Sequence, residues 1–394
     1  MYLTKTRDRI LAAVGGTALL IYILACGPAF SPDDSKVLYP ANDPRTGGAV
    51  LALYDRRART SRALFTVPGE EPAWLGSAWT QDGTRAVVLW AGGQHGSDKP
   101  GLLVASIPLQ AGKPIRMFSV PELTSDQNDA IWAMPSAVIG SWLFVGAKDG
   151  IYRIDLEYGR EVAVEVEGSP EVIGLRDRLY YVRNLPADDK QAGRVELGRV
   201  DPRSLKLSPL YVLAGSDNLG KEVFAASGDG KQLAVLDGKQ IVVYEDGNLR
   251  RTLPLAAAME GIGTPTTMAL QWSRDASLLY LFFTKKLDNG KIQVGIAEVS
   301  AGGGSIRAIP LFVVGGDGDG DSAMNLELSH DGKTLATAST YMQTSLENLA
   351  KGTPQALEPN DLALYFIDVS SPGRKITKVP IPPLPNVAPL KAKD

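Results

Sequence analysis

Three aspartates alternate with glycines at Asp317, Asp319 and Asp321. Carboxylates spaced this way on a glycine-rich loop can wrap a hard, oxygen-seeking cation, and Ca²⁺ is the ion such a set could hold. A solvated acidic loop that must turn sharply has the same composition. Ser322 stands where a calcium loop of the helix–loop–helix type would have glycine, and Glu327 comes one place early for its closing glutamate. No other cofactor is expected.

Nucleophilic and metal chemistry have little to work with. The chain has two histidines, His95 and His330, and one cysteine, Cys26. A thiolate or histidine-rich zinc site is excluded, because such sites need three or four of these ligands together. A Ser-His-Asp hydrolase would need a histidine base and usually a Gly-x-Ser-x-Gly elbow, which does not occur, and there is no P-loop signature. Paired carboxylates for glycoside hydrolysis are plentiful. On residue types the chain is expected not to be an enzyme, with a carbohydrate-active or ligand-binding protein as the alternative. Trp74 and Trp132 are expected in exposed connections, as anchors for a partner or platforms for a sugar, or as plugs within the core.

The elements that position these residues repeat. Five segments share an apolar lead, an Asp-containing turn and an apolar strand: Phe30–Tyr39, Trp79–Val88, Ala226–Val235, Trp272–Tyr280 and Leu328–Ala336. Their anchor aspartates are Asp33, Asp82, Asp229, Asp275 and Asp331. Ser and Asp side chains bond the turn backbone, and glycine supplies the left-handed residue. The interval between Asp82 and Asp229 leaves room for further copies, and Ala137–Asp155 and Val172–Tyr181 fit as degenerate ones. Short β-branched and aromatic runs punctuated by turns exclude a helical fold.

The Ser-Pro-Asp of the first copy and the Asp-Gly of the second, third and fifth resemble the WD40-like repeat of TolB-type periplasmic propellers. That resemblance implies an all-β propeller. About seven four-stranded blades of roughly 50 residues fit between residues 29 and 382, with six or eight still open, and residues 383–394 form a Pro-rich tail. Both terminal blades read as nearly complete, so closure should not need a blade shared between the chain ends. Turns between the first two strands of each blade then lie on one face, and the longer connections on the other. The largest connection, Tyr341–Asp361, holds a short helical pattern with capping-box spacing from Thr344 to Glu347; Leu346 and Leu349 share its apolar face and could dock a partner.

Lys5, Arg7 and Arg9 precede an uncharged apolar run, Ile10–Ala25, which ends at Cys26. This is the layout of a secretory signal. The Leu24-Ala25-Cys26-Gly27 sequence resembles a bacterial lipobox, which implies lipidation of Cys26; an uncleaved membrane anchor and plain secretion are the alternatives. Each puts residues 1–26 in a targeting or anchoring role and the remainder outside the cytoplasm, in the bacterial cell envelope. Net charge is -3, from 41 basic and 44 acidic residues, which excludes a general nucleic-acid binder because that role needs a basic field. The resulting expectation is a membrane-tethered scaffold that binds protein partners in an envelope complex.

Overall fold

The computed structural model describes residues 27–42, 49–68, 73–93, 100–124, 136–147, 149–168, 170–175, 178–185, 193–214, 224–227, 231–237, 240–245, 248–254, 266–273, 275–288, 292–302, 306–314, 326–338, 364–370 and 375–379. They form seven antiparallel sheets of four strands each, every sheet continuous in sequence. Blade 1 is β1 (Ala29–Phe30), β2 (Lys36–Asn42), β3 (Ala49–Asp55) and β4 (Thr60–Thr66). Blade 2 is β5 (Ala73–Trp79), β6 (Arg85–Gly93), β7 (Pro100–Pro108) and β8 (Arg116–Thr124). Blade 3 is β9 (Ser136–Ile139), β10 (Trp142–Ala147), β11 (Gly150–Asp155) and β12 (Glu161–Glu165). Blade 4 is β13 (Glu171–Leu175), β14 (Arg178–Leu185), β15 (Arg194–Val200) and β16 (Leu207–Ala214). Blade 5 is β17 (Phe224–Ala226), β18 (Gln232–Asp237), β19 (Gln240–Glu245) and β20 (Asn248–Pro254). Blade 6 is β21 (Thr266–Trp272), β22 (Leu278–Lys286), β23 (Ile292–Ser300) and β24 (Ile306–Val314). Blade 7 is β25 (Leu326–Leu328), β26 (Thr334–Ala338), β27 (Leu364–Asp368) and β28 (Ile376–Val379).

This is the seven-bladed, all-β propeller that the repeat spacing predicts. Both faces of each sheet are covered by neighbouring blades, so the middle strands read as nearly continuous apolar runs, whereas outermost strands such as β4 and β20 alternate with solvent. The core is a series of apolar layers between blades. Val87, Leu89 and Val104 of blade 2 meet Leu143, Val145 and Ile154 of blade 3. Ile139 and Phe144 of blade 3 meet Val172, Leu179 and Tyr181 of blade 4. Tryptophans lock two of these boundaries: Trp79 Nε1 donates to the Ala29 carbonyl at 2.8 Å, and Trp272 Nε1 to the Ala225 carbonyl at 3.0 Å. Each tryptophan ends the innermost strand of its blade and reaches the innermost strand of the blade before it.

The ring closes without strand exchange. Blade 1 comes wholly from the N-terminal side and blade 7 wholly from the C-terminal side, and an apolar layer containing Phe30, Tyr39, Tyr54, Leu364, Phe366 and Val379 joins them. Arg56 spans this seam. Its guanidinium lies 5.3 Å from the Phe30 ring and 5.7 Å from the Phe366 ring, and donates to Thr334 Oγ1 at 2.7 Å.

Among the described residues no helix is long and apolar enough to cross a membrane. The apolar run Ile10–Ala25, Cys26 and the helical pattern at Thr344–Ala350 lie outside the described residues.

Candidate functional site

Antiparallel order puts two sets of turns, first-to-second and third-to-fourth strand, on one face. Connections within the middle of each blade and between blades leave from the opposite face.

The turn face carries many carboxylates, and its own backbone uses them. In the β1–β2 turn, Asp33 Oδ1 accepts from Ser31 Oγ at 2.7 Å, Ser35 Oγ at 2.8 Å and the Ser35 amide at 3.1 Å. Ser31 Oγ in turn accepts the Lys36 amide at 2.9 Å. The same arrangement recurs around Asp82, Asp275 and Asp331. Hydrogen bonds from Ser31 hold Asp33 well below the usual carboxylate range, and those from Ser273 and Ser277 bring Asp275 to about 2. Burial opposes the shift at Asp82, but the bonds from Thr80 and Thr84 outweigh it. These groups stay ionised at neutral pH and are engaged, so they are turn-formers, not proton donors for catalysis.

A second aspartate series on the same face was not recognised from the sequence. Asp55, Asp155 and Asp368 end the third strands of their blades and Asp201 directly follows its own, and each accepts backbone amides two or three residues ahead. An apolar run ending in a single Asp is the signal that could have found them.

The opposite face carries the longer connections. Its connections of six residues or more span residues 43–48, 67–72, 94–99, 125–135, 186–193, 215–223, 255–265, 315–325 and, between β26 and β27, 339–363. The candidate cation ligands Asp317, Asp319 and Asp321 fall in one of these connections, Trp132 in another, and Leu346 and Leu349 in the longest; all lie outside the described residues, as do Cys26 and His95. Among the described residues no group of three or more His, Cys, Asp or Glu side chains could hold a metal ion. Trp74 is corrected. It is not in a connection but is the second residue of β5, with its backbone opposite Trp90, because a register shift between Trp74 and Gly76 lets the strand start earlier than the alternation suggests.

One buried polar group lies between blades 3 and 4. Glu196 accepts Tyr181 Oη at 2.7 Å and Arg183 Nε at 2.8 Å, while Tyr181 is fully buried. Burial, reinforced by the Glu196 charge, raises the Tyr181 phenol far above its ordinary range. A phenol held neutral and sealed from solvent is not a nucleophile, so this triad supports the core. Its sequence signal is a glutamate inside the otherwise apolar Val195–Leu197 run. A second feature is a cleft between blades 4 and 5, lined by Tyr180, Arg199, Leu210, Tyr211, Lys231 and Tyr244, with the Tyr211 and Tyr244 rings 3.8 Å apart. Its accessible volume of about 20 Å³ admits a water molecule and no larger ligand.

No family model and no curated protein sequence matches the chain. Solved structures do. The β-propeller domain of the Trilobed protease from Pyrococcus furiosus, described as having an open velcro topology, is similar over 90% of this chain and 96% of that one, at 9% identity and a TM-score of 0.52. A putative 6-phosphogluconolactonase from Bacteroides uniformis is similar over 87% of this chain and 94% of that one, at 11% identity and a TM-score of 0.51. An oligogalacturonate lyase from Vibrio parahaemolyticus covers 86% and 84%, at 14% identity and a TM-score of 0.45. The first two likenesses establish the propeller fold. They also overturn the expectation that the chain is not an enzyme, which rested on missing hydrolase, P-loop and metal signatures. Structural relatives named as enzymes point to enzymatic propellers among its neighbours, so those missing signatures do not exclude catalysis.

Proposed function

We propose that this chain is a membrane-tethered propeller of the bacterial envelope whose long-connection face binds a protein partner. The observation that carries the reading is the contrast between the two faces. Turn-face carboxylates are consumed by their own turns, while the opposite face gathers the longest segments on a rigid ring, where binding usually resides. The basic leader, the apolar run Ile10–Ala25 and the lipobox-like Cys26 support the tether and an extracytoplasmic location. The resemblance of the Ser-Pro-Asp and Asp-Gly turns to those of TolB-type periplasmic repeats supports the same compartment. A rigid disc with one loop-rich face suits an accessory subunit of a membrane complex.

The test is cross-linking and co-purification from gently solubilised membranes, with the wild type and a variant lacking residues 341–361. The expected result is a stoichiometric partner cross-linked to the long-connection face and lost on deletion. Recovery of the wild type alone, or association unchanged by the deletion, would overturn partner docking at that segment.

A further inference from the structure

The direction of β1 fixes which face of the ring the N-terminal segment leaves from. β1 is the innermost strand of blade 1, and it contacts the innermost strands β5 and β25 of the blades on either side. It runs toward the turn face, because Ser31–Ser35 follow it directly and form the β1–β2 turn there. Traced backward, the chain therefore heads toward the long-connection face. Ala29 lies opposite Leu38, and β2 continues from Leu38 to Asn42 at its long-connection end. Four residues of strand measure about 13 Å at the usual rise of about 3.3 Å per residue.

The three residues from Cys26 to Ala29 extend no more than about 11 Å. Buried Pro28 and half-buried Gly27 occupy two of those positions, and proline restricts the residue before it to extended backbone. The chain that enters at Gly27 therefore approaches blade 1 from the long-connection side. Reaching the turn face would require the chain to reverse inside the ring within three residues.

We infer that the long-connection face lies against the membrane and that the turn face, with its two aspartate series, points away from it. The inference rests on the tethered reading above, and it holds whether the anchor is a lipid on Cys26 or the Ile10–Ala25 segment, since both end within two residues of Gly27. It also narrows the partner class, because a protein docked on that face must present itself at the membrane surface, as the extracytoplasmic loops of a membrane-embedded protein do.

The experiment uses the full chain reconstituted alone into vesicles of phosphatidylethanolamine and phosphatidylglycerol, so that no partner can shield either face. Single cysteines are introduced at exposed positions: Glu167→Cys and Asp288→Cys on the long-connection face, Arg57→Cys and Lys113→Cys on the turn face. Their reaction rates with a bulky, membrane-impermeant maleimide are compared in vesicles and in detergent. The inference expects Glu167→Cys and Asp288→Cys to react severalfold more slowly in vesicles, with Arg57→Cys and Lys113→Cys unchanged. Protection of the turn-face pair, or equal rates at all four sites in vesicle-bound protein, overturns the orientation and leaves the tether standing. Failure of the chain to float with the vesicles overturns the tether and the orientation together.

Discussion

The carboxylate of Asp34 in blade 1 accepts both the backbone amide and the ring Nδ1 of His330 in blade 7, at 2.9 and 2.7 Å, across the seam where the ring closes. Its second oxygen accepts the Asp331 amide at 3.0 Å. Asp34 holds φ at 57°, the left-handed region where the corresponding turn positions in blades 2 and 7 have Gly83 and Gly332. Burial raises the Asp34 pKa, but the His330 contacts outweigh it and the net shift is downward. A residue ill-suited to the local backbone is therefore kept where its carboxylate clasps the last blade.

That clasp predicts the outcome of Asp34→Gly. Relief of backbone strain alone would stabilise the turn, yet the change also strips partners from two amides and an imidazole. A net loss of about 1–3 kcal/mol is expected, read from urea unfolding curves, with the first protection lost in hydrogen exchange at blades 1 and 7. A neutral or stabilising Asp34→Gly would show that the apolar seam around Phe30 and Phe366 closes the ring unaided.

The equivalent position in blade 6 gives the opposite expectation. Ala276 has φ 56°, a conformation costing an L-residue roughly 1–2 kcal/mol, and its half-buried side chain sits at the edge of the apolar layer between blades 5 and 6 without clasping a partner blade. Glycine removes that cost but makes the unfolded chain more flexible, by about 0.4–1 kcal/mol. Ala276→Gly should therefore gain about 0.5–1 kcal/mol, seen as a rise in the urea midpoint at constant slope. A fall in the midpoint would mean that Ala276 carries packing that outweighs the strain.

These two sites show how much was legible in the sequence. The turn motif revealed five blades because Ser or Thr, Asp and a left-handed residue together close a five-residue turn. Blades 3 and 4 escaped the motif because their first two strands are joined by two residues, 140–141 and 176–177, which leave no place for the Asp network. The clasp was not legible. Asp34 and His330 are distant in the chain, and His330 reads only as a substitute for proline in its repeat. Trp74 was misplaced because a bulge hides where β5 starts, and Glu196 was missed because its partners Tyr181 and Arg183 come from another strand.

The blade 4 triad yields a graded series. A Cβ on Gly198 would lie 2.4 Å from Tyr181 Cε1 and 2.6 Å from its Oη, so Gly198→Ala must displace the ring; overpacking of this kind costs about 1–3 kcal/mol. Tyr181→Phe removes one hydrogen bond and leaves Glu196 paired with Arg183, a loss of about 1 kcal/mol. Glu196→Ala strands the buried phenol and strips Arg183 Nε of its partner, leaving the Arg183 Nη1 bond to the Glu167 carbonyl, and should cost on the order of 3 kcal/mol. Thermal unfolding of the three variants checks the order. If Glu196→Ala proves the mildest, the triad does not support the core of blade 4.

The turn aspartates set the response to acid. Asp33, Asp34, Asp82 and Asp275 all have folded-state pKa values below the ordinary carboxylate value. A depressed folded value means that the group adds stability above its unfolded pKa, near 3.9, and loses that contribution as pH falls through the folded value. Stability should therefore be nearly level from neutral pH down to about pH 5 and drop between about pH 4 and 2. Asp275, brought to about 2 by Ser273 and Ser277, isolates the effect. Asp275→Asn should be less stable than wild type at pH 7, by under about 1 kcal/mol because the turn is solvent-exposed. The difference should shrink as pH falls toward 2 and vanish below it, where the wild-type carboxylate becomes protonated as well. Urea titrations of both proteins across that range provide the check, and parallel pH profiles would show that the Asp275 hydrogen bonds do not depend on its charge.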